Sequence, residues 1–189
     1  MTKPRALFLD RDGVINLDVG YAYHPNQIEF VPGIFEFCEK FQAARYLLIV
    51  VTNQSGIGRG YYTESQFLHL SEWMADQFEQ HNVFLKRTYY CPHHPVHAKG
   101  KYLQKCGCRK PAPGLIIEAI NDYNIDPNTS IFIGDKESDM QAANSAGIVN
   151  RIFLGTTNSD SEATIELANL QDLQVVEHLL VPFNSTNQS

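Results

Sequence analysis

No stretch of this 189-residue chain approaches the roughly 18 consecutive apolar residues of a membrane-spanning helix. No secretory leader is expected either: Met1-Thr2-Lys3-Pro4-Arg5 precedes only a short apolar run that ends at Asp10, with no small-residue cleavage site. The chain is therefore expected in the cytoplasm, with no membrane partner. Basic residues are few, 15 Lys and Arg against 21 Asp and Glu, for a net charge of −6. That balance, with no basic stripe and no P-loop kinase motif, counts against nucleic acid as a partner and against repair of DNA ends. It leaves room for a small anionic substrate, because a local cluster of Lys, Arg and metal can outweigh the global sign. Cysteine is scarce too. Of the four, three crowd a His-rich segment, and a reducing compartment disfavours disulfides, so a metal is the expected use. Internal repeats and low-complexity linkers are also missing. One domain over residues 1–182, with a loose polar tail at 183–189, is the expected organisation, and a monomer the expected state.

What is present is ordinary globular material, 43% hydrophobic and 19% charged. Ala6-Leu7-Phe8-Leu9, Tyr46 to Val51, Phe84 to Tyr90, Ser130 to Ile133 and Arg151 to Leu154 read as strands. Between them, helical spacing marks segments after Pro32-Gly33, after the capping-box sequence Thr63-Glu64-Ser65-Gln66, around Leu115 to Tyr123, and from Glu137 to Ala146. Leu170 to Leu180 gives a last helix. Alternation of strands and helices predicts an α/β fold: a Rossmann-like, doubly wound parallel sheet with helices on both faces. Ligands bind such sheets outside the carboxyl ends of the strands. Three of these strands end in polar residues that a core would reject: Asp10, Thr52-Asn53 and Asp135.

Asp10-Arg11-Asp12-Gly13 sets two carboxylates two residues apart directly after a buried strand. A dianionic phosphate repels an attacking carboxylate, so such a pair calls for a divalent cation. Magnesium suits, because it prefers oxygen ligands and takes only one or two carboxylates from the protein. Asp10 and Asp135 can supply them, with a backbone carbonyl near Asp12. Asp10 is then positioned to attack phosphorus and Asp12 to act as acid and base. Thr52, Asn53 and Gln54 offer neutral donors for phosphoryl oxygens, and Gly56, Gly58 and Gly60 predict a compliant loop behind them. Lys110 can neutralise phosphoryl oxygens, and the planar fork of Arg109 suits a second phosphate. Asp139, about one helical turn after Asp135, can orient Lys110 or a metal-bound water. Taken singly, each element is also compatible with an ordinary turn, cap or solvated charge.

Cys91-x-His93 and Cys106-x-Cys108, twelve residues apart, assemble three thiolates and one imidazole. That donor set suits a closed, tetrahedral, structural zinc site, which would supply the core that the intervening Lys99-Gly100-Lys101 cannot. His94 and His97 are possible substitutes for His93. Cys108 directly precedes Arg109 and Lys110, so an anchored loop would hold both cations over the sheet edge.

In this order, these elements resemble the haloacid dehalogenase (HAD) superfamily of phosphohydrolases. Asp10-Arg11-Asp12-Gly13, Val51-Thr52-Asn53-Gln54-Ser55-Gly56, Cys106-Gly107-Cys108-Arg109-Lys110-Pro111 and Gly134-Asp135-Lys136 resemble its heptose 1,7-bisphosphate 7-phosphatase branch, with histidinol-phosphate phosphatases as near relatives. The resemblance implies removal of the 7-phosphate of a heptose bisphosphate through an aspartyl-phosphate, in synthesis of the ADP-heptose precursor of lipopolysaccharide core. It implies Asp10 as nucleophile and Asp12 as acid–base. Asp10, Asp12 and Asp135 would form the magnesium site, and Thr52 and Lys110 would stabilise the phosphoryl group. Arg109 would recognise substrate, with Asp18, Val19, Gly20, Tyr21, Asn53, Gln54, Ser55 and Lys136 contacting it. Val14 departs from the threonine many superfamily members carry. The spacing leaves no room for a large cap domain, so an open site is expected. The alternatives are a histidinol-phosphate phosphatase and a phospho-acceptor signalling domain, which would have no use for Asp12 or the cysteine loop.

Overall fold

The computed structural model describes residues 2–180. Its centre is β1 (Arg5–Leu9), buried at every position. Successive side chains of a strand point to opposite faces, and β1 obeys this: Leu7 and Leu9 enter one core cluster, Ala6 and Phe8 the other. With β2 (Tyr46–Asn53), β3 (Leu85–Cys91), β4 (Ile131–Gly134), β5 (Asn150–Leu154) and β6 (Ile165–Leu167) it forms a six-stranded sheet, ordered β3-β2-β1-β4-β5-β6. All neighbours run parallel. The order of the strands reverses beside β1, so a crevice opens where β1, β2 and β4 end.

Two helices cover one face: α1 (Ile34–Ala43) through Ile34, Phe37, Cys38 and Phe41, and, after the short α2 (Ser55–Arg59), α3 (Glu64–Gln80) through Leu70, Met74 and Phe78. The other face is covered by α4 (Gly114–Tyr123) and α5 (Glu137–Ser145), which bring Leu115, Ile116, Ala119, Met140, Ala142 and Ala143 against Phe8, Ile49, Val51 and Phe132. Thr63 caps α3 as its sequence predicts, accepting from the Gln66 backbone while the Gln66 side chain accepts from the Thr63 backbone.

Four local expectations are revised. β2 runs on to Asn53, carrying Thr52 inside the ladder. β3 begins at Leu85 and ends at Cys91, leaving Phe84 exposed outside it. The segment after Gln54, read as a compliant loop, forms α2, with Ser55, Gly56, Ile57 and Gly58 buried. The helix expected over Leu170 to Leu180 is a 3-10 stretch over Leu173–Leu180; it docks through buried Val176, and the Leu179 carbonyl accepts from the Tyr46 hydroxyl at 2.9 Å. The three residues of β6 are too short to show a period in the sequence. The polar tail expected at 183–189 lies outside the described residues.

Candidate active site

Asp10 follows β1, and its backbone N–H donates to Ile133 on β4 at 3.0 Å, so the ladder itself aims the side chain into the crevice. The carboxylate is buried, 2.9 Å from the Lys110 ammonium. Burial pushes its ionisation up to about 7; Lys110 opposes that shift, and Asp139 and Asp12 add to it. Lys110 is also buried: its ammonium pairs with Asp10 and, at 2.7 Å, with Asp139, and it donates to the Val51 carbonyl at 2.9 Å. Burial works against its charge, but Asp10 and Asp139 outweigh burial and hold the ammonium above its ordinary value. Asp139 thus orients Lys110, one of the two roles its position suggested.

The backbone that carries Lys110 is tied to β2 by a reciprocal pair. The Asn53 amide donates to the Lys110 carbonyl, and the Lys110 N–H donates to Asn53 Oδ1, both at 3.0 Å. The Asp12 carboxylate is held by Arg11, which donates to both oxygens, by Asn16 at 3.1 Å and by Gln54 at 3.0 Å. Arg11 and Asn16 are almost fully buried and carried no signal in the sequence beyond their neighbourhood. Gln54 also donates to the Thr52 hydroxyl at 2.8 Å. Asn53 and Gln54, read as substrate contacts, therefore commit their amides within the protein, although both line the cavity.

That cavity has a volume of about 550 Å³. Asp10, Asp12, Thr52, Ser55, Lys110, Arg109 and Lys136 line it, as do Asp18, Gly20 and Tyr21 from the loop after β1. Val19 is exposed and is not among the lining residues. Across the mouth, Lys136 Nζ meets Asp18 at 3.0 Å and Asp135 at 3.6 Å. Burial works against the Asp18 charge, but the hydrogen bonds from Lys136 and the Gly20 backbone, together with the charges of Lys136 and Arg11, outweigh it and lower the carboxyl below its ordinary value. Asp10, Asp135 and Asp139 bring a carboxylate oxygen each within 4.8 Å of one another. The Asp12 carboxylate lies outside this group, which leaves only its backbone carbonyl to contribute. Gly13 makes the arrangement possible. Its φ is +94°, and a β-carbon there would fall 2.1 Å from Asp135 Oδ2.

Cys91, His93, Cys106 and Cys108 converge as the second cluster of possible metal ligands among the described residues. Their sulfurs stand 3.2, 3.2 and 3.5 Å apart, and His93 Nδ1 lies 3.6 Å from Cys91 and 3.4 Å from Cys108. His94 is used elsewhere, its Nδ1 accepting from the Val96 and His97 backbones. Arg109 donates to the His93 carbonyl at 3.3 Å, tying the guanidinium to this loop.

A parallel sheet with a buried Asp at the tip of its central strand, and Thr, Lys and acidic residues converging on it, defines a HAD-like hydrolase. Residues 107–181 match the HAD-hydrolase-like family model. The chain is 47% identical to the D-glycero-beta-D-manno-heptose-1,7-bisphosphate 7-phosphatase of Pasteurella multocida over 87% of this chain and 89% of that protein. It is 46% identical to the D-glycero-alpha-D-manno-heptose-1,7-bisphosphate 7-phosphatase of Burkholderia mallei over 86% of each. Among solved structures, a HAD-like protein from Mesorhizobium loti superposes with a TM-score of 0.85 at 30% identity, covering 99% of this chain and 89% of that one. D,D-heptose 1,7-bisphosphate phosphatase from B. bronchiseptica, solved with magnesium and phosphate, gives 0.80 at 25% identity over 92% and 99%. The chain belongs to the heptose-1,7-bisphosphate 7-phosphatase family of HAD phosphatases.

Proposed function

We propose that this phosphatase removes the 7-phosphate of D-glycero-D-manno-heptose 1,7-bisphosphate, in the synthesis of ADP-heptose, with Asp10 as nucleophile and Asp12 as acid–base. The names of its relatives supply the sugar. The observation that carries the chemistry is the Asp10 carboxylate, buried at the strand tip 2.9 Å from Lys110 in a cavity that also contains Arg109.

An Asp10 oxygen attacks phosphorus as the bond to the sugar C7 oxygen breaks, and Asp12 gives that oxygen its proton. Water then attacks the aspartyl-phosphate, its proton passes to Asp12, and Asp10 is released with inorganic phosphate. Lys110 and the Thr52 hydroxyl face the charge that builds on the phosphoryl oxygens, while Arg109 is placed to grip the 1-phosphate. Asp10 and Asp135, with the Asp12 carbonyl, would hold magnesium. Asp135 Oδ1 fits that use, being buried with no hydrogen-bond partner among the described residues. Bound there, the cation would neutralise the repulsion between carboxylate and phosphate.

The three cysteines and His93 fit zinc. A tetrahedral ion with sulfurs at about 2.3 Å sets sulfur–sulfur edges of about 3.8 Å, a few tenths of an ångström longer than the 3.2–3.5 Å observed. Four protein donors leave no open position, so the role is structural.

Asp10→Asn tests the mechanism. The amide is nearly isosteric and a poor nucleophile, so phosphate release should fall at least ~10³-fold with the fold intact. Retention of a tenth of the activity would exclude covalent catalysis by Asp10. Comparing turnover of heptose bisphosphate with that of histidinol phosphate tests the sugar assignment.

A further inference from the structure

Gln54 touches two groups of the reaction at once. Its amide nitrogen has two protons; one goes to Asp12 Oδ2 at 3.0 Å and the other to Thr52 Oγ1 at 2.8 Å. Since Thr52 Oγ1 accepts there, its own proton is free for a phosphoryl oxygen in the cavity. An amide can turn over, and the reversed Gln54 would set its oxygen against the Asp12 carboxylate and withdraw both donors. The hydroxyl of Tyr62 opposes the reversal, donating to Gln54 Oε1 at 2.5 Å.

Tyr62 is built into place. It is 5% exposed, its ring stacks on Tyr23 with centroids 5.5 Å apart, and it packs in a small core with Ile57 and Phe67. Gly56 makes room for it: a β-carbon at that position would lie 2.2 Å from the Tyr62 ring. Burial pushes the Tyr62 phenol up to about 12, so it stays a proton donor wherever the enzyme works.

We propose that Tyr62 is a positioning residue which, acting through Gln54, fixes the Asp12 carboxylate for proton transfer and turns the Thr52 hydroxyl proton toward the phosphoryl group. This rests on the reading of Asp12 as acid–base. It also gives Gln54 a task inside the protein in place of a substrate contact, and Gly56 a steric reason in place of loop compliance.

The experiment measures single-turnover release of the leaving group from heptose 1,7-bisphosphate and from para-nitrophenyl phosphate. The sugar alkoxide must be protonated as it leaves, whereas the nitrophenolate need not be. Tyr62→Phe retains the stacked ring and should keep the wild-type melting temperature to within a few degrees. It should slow the sugar step about tenfold, a fraction of the ~10²–10⁴ available from acid–base help. The aryl step should change by less than about twofold to threefold, and KM for the sugar by less than about twofold. Gln54→Met should show the same selectivity. The double variant should be no slower than Gln54→Met alone, because the two residues act in series. Gly56→Ala, which displaces the ring, should reproduce Tyr62→Phe.

Equal losses on both substrates, additive losses in the double variant, or a raised KM with an unchanged single-turnover rate would each overturn the relay. Asp12→Asn separates the two levels. If it is selective against the sugar and Tyr62→Phe is not, the relay alone falls. If Asp12→Asn shows no selectivity, the acid–base reading falls and the proposal with it.

Discussion

Asp10 sits where burial and two neighbouring acids favour a proton and Lys110 opposes it, and the balance raises its ionisation to about 7. With magnesium held by Asp10 as proposed, a proton would compete with the ion for this carboxylate. Above about pH 7 the ion would bind without displacing a proton; below it, apparent affinity should fall by about tenfold per pH unit. Calorimetric titration with magnesium at about pH 6 and about pH 8 measures this, and equal affinities would contradict it. Stability in the metal-free protein follows the same sign. Because the folded value lies above the ordinary 3.8, this carboxyl stabilises the fold fully below 3.8, and that contribution is lost as the pH rises through about 7. Asp10→Asn should therefore flatten the decline in melting temperature over that window. Asp10, Thr52 and Lys110 were legible in the sequence through their combination. Each alone would fit an ordinary turn or solvated charge, but polar residues at the ends of several buried strands of one parallel sheet meet at the same edge. Gln54 was legible only as a donor. Its partner Tyr62 comes from beyond a helix, and no local pattern joins the two.

At the scale of elements, α2 shows why glycines misled. Two glycines inside α2, Gly56 and Gly58, are poor helix formers, yet burial of Ser55, Gly56, Ile57 and Gly58 sustains a short helix that propensity alone would not. The cysteine loop shows the reverse, because the convergence of Cys91, His93, Cys106 and Cys108 was readable from donor chemistry and spacing. The structure adds how the loop is tied down. Tyr90 on β3 and Tyr102 in the loop both donate to Glu64 at the start of α3, at 2.8 and 3.2 Å. Arg109 donates to the carbonyl of His93, so loosening the Cys/His cluster should loosen the guanidinium. Cys106→Ser should lower zinc content and reduce kcat/KM for the sugar bisphosphate about tenfold. A small aryl phosphate, which does not need Arg109, should lose markedly less. An unchanged ratio despite lost zinc would separate the loop from substrate binding, and a wild-type protein free of zinc after a reducing, chelator-free preparation would exclude the metal.

Across the whole molecule, the sheet divides the labour. Phe37, Phe41 and Phe78 fill the face covered by α1 and α3, with Leu7, Leu9 and Leu48 beneath them. The chemistry stands on the carboxyl edge. Phe37→Ala should cost about 3–5 kcal/mol of stability, from lost apolar burial and the cavity it leaves. At a temperature where the variant remains folded, kcat should stay within about twofold of wild type, measured beside a urea denaturation curve. A large loss of kcat in the folded protein would show that the two regions are coupled.

The residues by themselves determined the parallel α/β architecture, because strand and helix periods are written in the spacing of apolar side chains. They also determined the chemistry available at the strand ends, because carboxylate, ammonium and thiolate bring their reactivity with them. Tertiary structure alone decided how those groups are used. It assigned Asp139 to Lys110, gave the amides of Asn53 and Gln54 to the protein's own backbone and side chains, and brought His93 rather than His94 to the three cysteines. Hydrogen bonds of 3 Å between residues dozens apart in the chain depend on how β1, β2 and the Lys110 segment are brought together. No window of sequence contains that distance.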